Sequence, residues 1–372
     1  MKKNIKLLLA LTLLALSAHS RADYALNLPV GVTETSREIH DLHMLILWIC
    51  VGIGVLVYGV IIYSIIHHRK SKGVVPAQFH ENTKLEIIWT LIPFLILLAM
   101  AVPATKVMIR AYDTSAADMS IKITGYQWKW RYNYLEEGID FYSSLDEKSN
   151  VARQLGSNID PSSVDHYLLN VDKPLVIHVN KKIRLLITSA DVIHSWWVPD
   201  FGWKKDAIPG FVTDGWIKVE KPGVYRGQCT ELCGRDHGFM PIVVVAKTEE
   251  QYIKWVAEQT SQKSAKKTES LVNIPFDDLL AKGKEVYTSN CAGCHMPNGE
   301  GIAGTFPAIK ASPVATGGMA EHVKLVVNGK GAMPAFGSML DESQIAAVVT
   351  YQRNAFENNK GDSIQPAEIK KN

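Results

Sequence analysis

The chain lacks an excess of charge of either sign. Its 372 residues contain 40 lysines and arginines against 37 aspartates and glutamates, which gives a formal net charge of +3. Residues 1–22 hold four of the basic residues and no acidic one, so 36 basic residues face 37 acidic ones in the remainder. A domain that binds nucleic acid normally carries a basic surface. We therefore exclude nucleic acid as a partner.

Cysteine is also scarce, and its placement is informative. Four of the five cysteines form two close pairs, Cys229/Cys233 and Cys291/Cys294, while Cys50 lies alone in an apolar run. Close pairs in an exported protein can be disulfides. Each pair, however, has histidine and methionine nearby. We therefore favour ligation of a metal or cofactor over disulfide formation.

Residues 1–22 have the composition of a secretory signal peptide. A basic start is followed by the apolar run Leu7–Ala18 and then by Ser20-Arg21-Ala22. This order predicts cleavage after Ala22, the alternative being a short uncleaved anchor.

Two long apolar runs follow within residues 23–110. Met44–Ile66 has 23 uncharged residues, and Ile87–Thr105 has 19 with two prolines inside. They predict membrane spans at about 44–66 and 87–107, with a buried soluble hairpin as the alternative. A basic cluster, His67–Lys72, lies between them. The positive-inside rule places the 67–84 loop in the cytoplasm and both ends of the chain outside.

Residues 111–247 change to a strand pattern. β-Branched and aromatic residues alternate through Ile121–Tyr134, and short apolar runs separated by glycine and proline predict further strands at Leu175–Val179, Ile183–Thr188, Trp216–Val219, Val224–Gln228 and Ile242–Ala246. This spacing predicts a β-sandwich or barrel. Residues 136–170 are polar and are interpreted as a surface excursion.

The C-terminal third contains a linker and a helical domain. Residues 248–274 are charged; the first part fits a short amphipathic helix, and Gln259–Glu269 has the composition of a flexible tether. Residues 275–357 show helical periodicity and predict a small all-α domain. Residues 358–372 form a polar tail, and Gly361–Asn372 is expected to be frayed.

The central motif is rich in metal-ligating side chains. Thiols, imidazoles and thioethers are suited to copper, and this set holds five of them: His194, Cys229, Cys233, His237 and Met240. Two thiolates could bridge two copper ions, with the Glu231 carbonyl also in reach. Zinc rarely takes methionine, and a mononuclear blue copper site needs one cysteine. A copper chaperone is the remaining competitor.

The second cysteine pair has the spacing of a haem attachment motif. In Cys291-Ala292-Gly293-Cys294-His295, the cysteines would form thioethers to haem and His295 would ligate the iron. A thioredoxin-like pair is the alternative, but no βαβ pattern surrounds it. Met333 is our choice of sixth ligand, ahead of Met339 and Met319.

These motifs together resemble subunit II of the haem–copper cytochrome c oxidases, in the bacterial form with a cytochrome c domain fused at its C-terminus. The matching stretches are Glu86–Thr90, Gly125–Trp130, Asp191–Trp196, Lys205–Gly210, Cys229–Met240 and the haem motif. The resemblance implies a two-helix transmembrane hairpin, a cupredoxin-like β-domain and a cytochrome c domain.

Position by position, the resemblance implies further roles. The five side chains and the Glu231 carbonyl would bind the dicopper CuA centre, and the Glu231 side chain would bind magnesium or manganese at the boundary with subunit I. Trp128 would be the point of electron entry, and Glu86 would lie at the entrance of a proton pathway. Asp206 matches an acidic residue facing subunit I. Tyr126 departs from the family, where histidine is common.

The resemblance implies a subunit of a terminal respiratory oxidase. Electrons would pass from haem c to CuA and on to subunit I, which reduces oxygen to water coupled to proton pumping. The expected partners are subunits I and III and an external donor such as a cytochrome c or a cytochrome bc complex. A membrane-tethered copper carrier is the alternative; a quinol oxidase subunit is disfavoured because such members lack these copper ligands.

Overall fold

The computed structural model describes residues 27–75, 78, 80–269, 273–331 and 333–369. The predicted signal peptide lies outside these residues. The described chain consists of two long apolar helices, a domain of two β-sheets and a domain of short helices. This order confirms the predicted fold class.

The two N-terminal helices are longer than the apolar runs. Helix α1 spans Glu34–His67 and helix α2 spans Thr83–Tyr112. Thr33 and Ser36 form a capping box at the start of α1, and the Asn82 side chain caps α2. These caps satisfy free backbone N–H groups, so the helices begin in the polar segments that precede the apolar runs. Both helices are long and apolar enough to cross a membrane.

Polar contacts join both helices to the β-domain. The amide of Val32 donates to the carbonyl of Asp200 (3.0 Å), and Thr33 Oγ1 donates to the carbonyl of Phe201 (3.2 Å). At the end of α2, the Trp216 indole donates to the carbonyl of Arg110 (3.1 Å). The β-domain is therefore joined to the segment that begins α1 and to the C-terminal end of α2.

The β-domain contains two five-stranded sheets. The first has the order β3-β2-β1-β5-β8, with β1 parallel to β5, and the second has the order β4-β10-β9-β6-β7, with β4 parallel to β10. The elements are β1 Met119–Tyr126, β2 Lys129–Tyr134, β3 Asp140–Ser143, helix α3 Glu147–Ala152, β4 Leu175–His178, β5 Ile183–Ser189, β6 His194–Trp197, β7 Lys204–Ala207, β8 Thr213–Ile217, β9 Gly223–Cys229 and β10 Pro241–Lys247.

The core of this domain lies between the sheets. Alternate residues of β5 are buried, as expected for a strand with one face toward a core. Trp130, Tyr132 and Trp196 are fully buried within the same apolar cluster. The predicted strands are present, although β8 begins three residues earlier than expected. The four-residue strands β3, β6 and β7 were not predicted.

Helix α4, Glu249–Glu269, differs from the predicted linker. Tyr252 and Trp255 pack on the β-domain, where the Trp255 and Tyr134 rings lie 5.3 Å apart. The helix then continues through the segment from Gln259 that we expected to be a flexible tether. Its glutamine, lysine, alanine and glutamate residues have high helix propensity, which explains the continuation.

The C-terminal domain is all-α, as predicted. Its helices are α5 Phe276–Asn290, α6 Ala292–His295, α7 Pro313–Thr316, α8 Met319–Asn328 and α9 Glu342–Asn354. Helices α5 and α9 pack together around Leu279, Val286, Ile345 and Val349. The α9 helix begins with a capping box formed by Asp341 and Gln344.

The tail also differs from the expectation. Ile364 and Ile369 are buried in the helical domain, and Gln365 exchanges two hydrogen bonds with the backbone of Ile274. Residues 361–369 are therefore part of the folded domain. Their two apolar residues are isolated in sequence, so no periodic pattern indicates this packing.

Candidate metal and haem sites

Strand pairing brings the first two candidate ligands together. Strand β6 begins at His194 and pairs with β9, which ends at Cys229, so that Trp196 lies opposite Cys229. The result is a separation of 3.9 Å between His194 Nδ1 and Cys229 Sγ. Two residues 35 positions apart in sequence thus share one end of the second sheet.

The loop between β9 and β10 supplies the remaining candidates. Cys233 Sγ lies 3.8 Å from Cys229 Sγ, 3.4 Å from His237 Nδ1 and 3.5 Å from Met240 Sδ. The Glu231 carbonyl lies 3.4 Å from Cys229 Sγ. All five predicted side chains and the carbonyl therefore face one small volume.

This donor set fits a site for soft metal ions. The Sγ–Sγ separation of 3.8 Å is far from the roughly 2 Å of a disulfide, so both thiols are free to ligate. His194, Cys229 and Cys233 are all buried. Two thiolates, two imidazoles, a thioether and a carbonyl form a donor set suited to copper.

Hydrogen bonding fixes the orientation of the first imidazole. His194 Nε2 donates to Asp191 Oδ1 over 2.9 Å, which leaves Nδ1 pointing at Cys229. Burial lowers the pKa of His194, but the hydrogen bonds with Asp191 and Cys229 outweigh that effect and raise it. Gly125 permits the packing, since a Cβ there would lie 2.8 Å from the ring.

The two thiols influence each other's ionisation. The hydrogen bond between them, with Cys233 as donor, lowers the pKa of Cys229 and raises the pKa of Cys233. Without a metal, the pair therefore favours a single shared negative charge. A metal ion must displace the second proton, so metal binding here releases protons.

Trp128 lies between the two predicted sites. Its indole Nε1 donates to the Cys233 carbonyl (3.2 Å), and the Gln127 side chain donates to the same oxygen (2.9 Å). The Trp128 side chain also lines the cavity in which Cys291, Cys294 and His295 lie. The Trp128 ring therefore contacts the thiol loop (residues 230–240, between β9 and β10) and borders the haem-motif cavity.

The haem motif lies at the end of α5. Cys291 follows this helix, and Cys294 and His295 belong to the short helix α6. The Pro307 carbonyl lies 2.7 Å from His295 Nδ1, which places a proton on Nδ1 and leaves Nε2 free to ligate. Such a hydrogen bond orients the imidazole ring of a histidine that ligates iron.

A cavity of about 880 Å³ adjoins the motif. It is large enough for a cofactor and has apolar walls that include Ile302, Phe306, Leu325 and Val326. Met333 lines this cavity, whereas among the described residues Met319 and Met339 pack against the core without lining it. The residues present therefore fit a haem, with His295 and Met333 as the side chains that would bind its iron.

The cavity also includes residues that we did not predict. Its β-domain wall contains Lys129, Asn150, Arg153, Arg235 and Asp236. Asn150 and Arg153 come from the segment interpreted as a surface excursion. Asp191 was also missed as a partner of His194; its position three residues before a candidate ligand is the signal that could have indicated it.

Other predicted residues lie away from these sites. Glu86 is exposed in the first turn of α2, and Asp206 is exposed on β7. The Glu231 side chain is exposed, while its carbonyl faces the thiols. Tyr126 packs against Tyr142 with ring centroids 5.4 Å apart. The roles predicted for Glu86, Asp206 and the Glu231 side chain depend on partners outside this chain.

Three family models match the chain. The model described as cytochrome c oxidase subunit II, periplasmic domain, matches residues 119–247, and that of the subunit II transmembrane domain matches residues 21–107. A third, described as cytochrome c oxidase, cbb3-type, subunit III, matches residues 278–351.

The chain is also similar to individual proteins. A probable cytochrome c oxidase subunit 2 of Rickettsia bellii is 40% identical over 224 residues, covering 60% of this chain and 80% of that protein. Cytochrome c oxidase subunit 2 of Cereibacter sphaeroides is 37% identical over 236 residues, covering 61% and 78%. The solved periplasmic domain of subunit II of the Bradyrhizobium japonicum oxidase is 38% identical, covers 40% of this chain and 98% of that one, and has a TM-score of 0.35.

Proposed function

Because the chain belongs to the cytochrome c oxidase subunit II family and carries a cytochrome c domain, we propose that it receives electrons at a covalently attached haem c and passes them through a dicopper CuA centre to subunit I. Subunit I would use them to reduce oxygen to water coupled to proton pumping. Residues 111–247 would be the copper domain and residues 275–357 the haem domain.

The observation that carries this proposal is the position of Trp128. Its ring lines the cavity at the haem motif, and its Nε1–H is bonded to the carbonyl of Cys233. An electron leaving the cavity therefore meets one aromatic ring that is hydrogen-bonded to the backbone of a candidate copper ligand. No carrier is needed between the two sites.

The copper residues would act as a preformed set, of which His194, Cys229, Cys233 and Met240 are buried. The proposed ligands are His194, Cys229, Glu231 through its carbonyl, Cys233, His237 and Met240. Bound here, the copper pair would supply one-electron oxidation and reduction. The exposed Glu231 side chain would bind magnesium or manganese together with subunit I.

The haem residues would hold the cofactor from both faces. Cys291 and Cys294 would form the thioethers, His295 Nε2 would bind the iron on one face, and Met333 would bind it on the other. Methionine as an axial ligand raises the potential of a haem and suits electron transfer. The Pro307 carbonyl keeps the His295 ring in position.

The chain is an integral membrane protein, and we propose its orientation from charge. The basic residues between α1 and α2 would lie in the bacterial cytoplasm, with the copper and haem domains in the periplasm. Glu86 would then lie at the cytoplasmic start of α2, where it would serve the entrance of a proton pathway into subunit I. Subunit III and an external cytochrome c or cytochrome bc complex would complete the assembly.

Substitution of Trp128 tests the proposed route. In the assembled oxidase, Trp128→Gln removes the aromatic ring, whereas Trp128→Phe keeps a ring and loses the hydrogen bond to Cys233. After rapid photoreduction of the haem, we expect the copper centre to be reduced much more slowly in the Gln variant and at an intermediate rate in the Phe variant. Absorption spectra must show that both variants retain haem and copper.

Two results would count against the proposal. An unchanged rate in Trp128→Gln would show that electrons do not use this ring. Loss of the copper to a mild chelator from the unmodified protein would favour the alternative, a membrane-tethered copper carrier, since a carrier must give up its metal readily.

A further inference from the structure

Polar side chains of the β-domain make hydrogen bonds to the helical domain. The buried apolar residues of the two domains form separate clusters. Among the described residues, the hydrogen bonds across the contact reach a single segment of the helical domain, residues 288–296. This segment contains both haem-attachment cysteines and His295.

Arg235 makes the central contact. It lies in the thiol loop, between Cys233 and His237, and its Nη1 donates to the Gly293 carbonyl over 2.7 Å. Its Nη2 lies 3.8 Å from Met296 Sδ. Gly293 is one of the two residues between the haem-attachment cysteines. One side chain therefore joins the loop of copper ligands to the loop of the haem motif.

Two further residues grip the same segment. Lys129 follows Trp128, and its Nζ donates to Asn290 Oδ1 over 2.9 Å, directly before Cys291. Lys129 is buried, and this burial lowers its pKa to about 8. Asn150 of α3 donates to the Thr288 carbonyl over 3.3 Å. All of these donors belong to the β-domain, and all of the acceptors belong to the haem-attachment segment, residues 288–296.

The surface around Arg235 is shaped for this segment. The Asp236 carboxylate is held by Arg153 (3.3 Å), and both side chains are largely buried. A Cβ at Gly293 would lie 3.2 Å from Asp236 Oδ2, a tight contact. Glycine at this position thus allows the two loops to approach closely.

We propose that Arg235 is a positioning residue. It clamps the haem-attachment segment, residues 288–296, onto the thiol loop in a docked state that can open. The inference rests on the proposed function, since the clamp matters only if electrons pass between the two loops. A polar contact without a shared apolar core is typical of domains that separate and rejoin. Arg235, with Lys129 and Asn150, would set how often the docked state forms.

The expected effect is about tenfold. A hydrogen bond from a charged donor is stronger than one between neutral groups, but the Arg235 side chain is 41% exposed, so its contribution is at the low end for charged donors. A change of about 1.4 kcal/mol alters an equilibrium tenfold. Arg235→Ala should therefore shift the balance toward the open state about tenfold.

The test uses the assembled oxidase loaded with haem and copper. Hydrogen exchange of the amides in residues 288–296 reports docking directly, and transfer from photoreduced haem to copper reports its consequence. Arg235→Ala should speed exchange about tenfold and slow transfer, while Arg235→Lys should restore part of both. Arg184→Ala is the matched control, because Arg184 is 42% exposed and pairs with Asp214, away from the helical domain.

A second variant tests the clamp without a substitution in the thiol loop. Asn290→Ala leaves the loop untouched but removes the acceptor of the buried Lys129 ammonium, so it should speed exchange in residues 288–296 by a similar factor. The clamp is refuted if Arg235→Ala leaves exchange in residues 288–296 unchanged, and the contribution of Lys129 is refuted if Asn290→Ala leaves it unchanged. If the unmodified protein shows no haem-to-copper transfer while Arg235→Ala still speeds exchange, the proposed function fails and the clamp stands.

Discussion

Asp191 holds the imidazole of His194, and replacing this aspartate by asparagine is expected to weaken copper binding. Its Oδ1 accepts from His194 Nε2 (2.9 Å) and from the Val192 amide (2.7 Å), while Oδ2 accepts from the Gln127 amide (2.7 Å). Burial would raise the pKa of Asp191, but these hydrogen bonds lower it, so the group is a carboxylate. The three donors His194, Val192 and Gln127 thus depend on this carboxylate for an acceptor.

Asparagine cannot satisfy this arrangement. Its single oxygen can replace Oδ1, which accepts the larger number of bonds, but its NH₂ group then faces the Gln127 N–H at 2.7 Å. The bond from His194 also loses the charge of its acceptor. Loss of such a partner typically reduces metal affinity about 10- to 100-fold, or roughly 1.4–2.7 kcal/mol.

Copper retention against a graded series of chelator concentrations measures this effect in the full-length subunit. Asp214→Asn is the control, since Asp214 pairs with Arg184 on the other sheet. If Asp191→Asn retains copper as the unmodified protein does, His194 is not oriented by this bond, or His194 is not a ligand. Loss of copper in both variants would instead indicate a general loss of stability.

Three further predictions concern the helical domain. Met333→Leu should abolish the absorption signature of methionine ligation and lower the haem potential, whereas Met339→Leu should preserve both. Burial, together with the charge of Arg353, lowers the pKa of His322 to about 4. His322 therefore takes up a proton at higher pH in the unfolded chain than in the folded one. The free energy of unfolding should fall by about 3 kcal/mol as the pH drops from about 6.5 to 4. In thermal unfolding, the His322→Gln variant should lack this pH dependence. Arg353→Met removes two hydrogen bonds to Asp362, from Nε to Oδ1 (2.8 Å) and from Nη2 to Oδ2 (2.6 Å). Because Asp362 is 40% exposed and can be rehydrated, we expect the free energy of unfolding in denaturant to fall by about 2 kcal/mol.

Much of the fold follows from local patterns in the sequence. The two membrane helices are long apolar runs, and β5 and β10 are dense in β-branched residues. Strands β3 and β7 carry charged or polar residues and are only four residues long. They exist because β2 and β6 offer free edges for pairing, and such pairing leaves no local signature.

The candidate sites divide in the same way. Four of the copper-site side chains lie within 12 residues of sequence, so their spacing indicates a shared site. The contacts of Arg235 with Gly293 and of Lys129 with Asn290 join residues that are 58 and 161 positions apart. They depend on how two separately folded units meet, and no periodicity or motif in one unit encodes the surface of the other.

The attachment of the β-domain to α1 and α2 has a consequence for the timing of the two electron steps of the proposed route. Backbone and side-chain bonds at Val32, Thr33 and Trp216 tie the β-domain to the two apolar helices, so the proposed copper centre would keep a constant distance from these helices, whereas the haem motif is held by contacts that the proposed opening would break. Solvent viscosity and ionic strength should therefore change the rate of the first transfer and leave the transfer into the membrane unaffected. In this route the chain would separate a step governed by diffusion of a domain from a step governed by a constant distance.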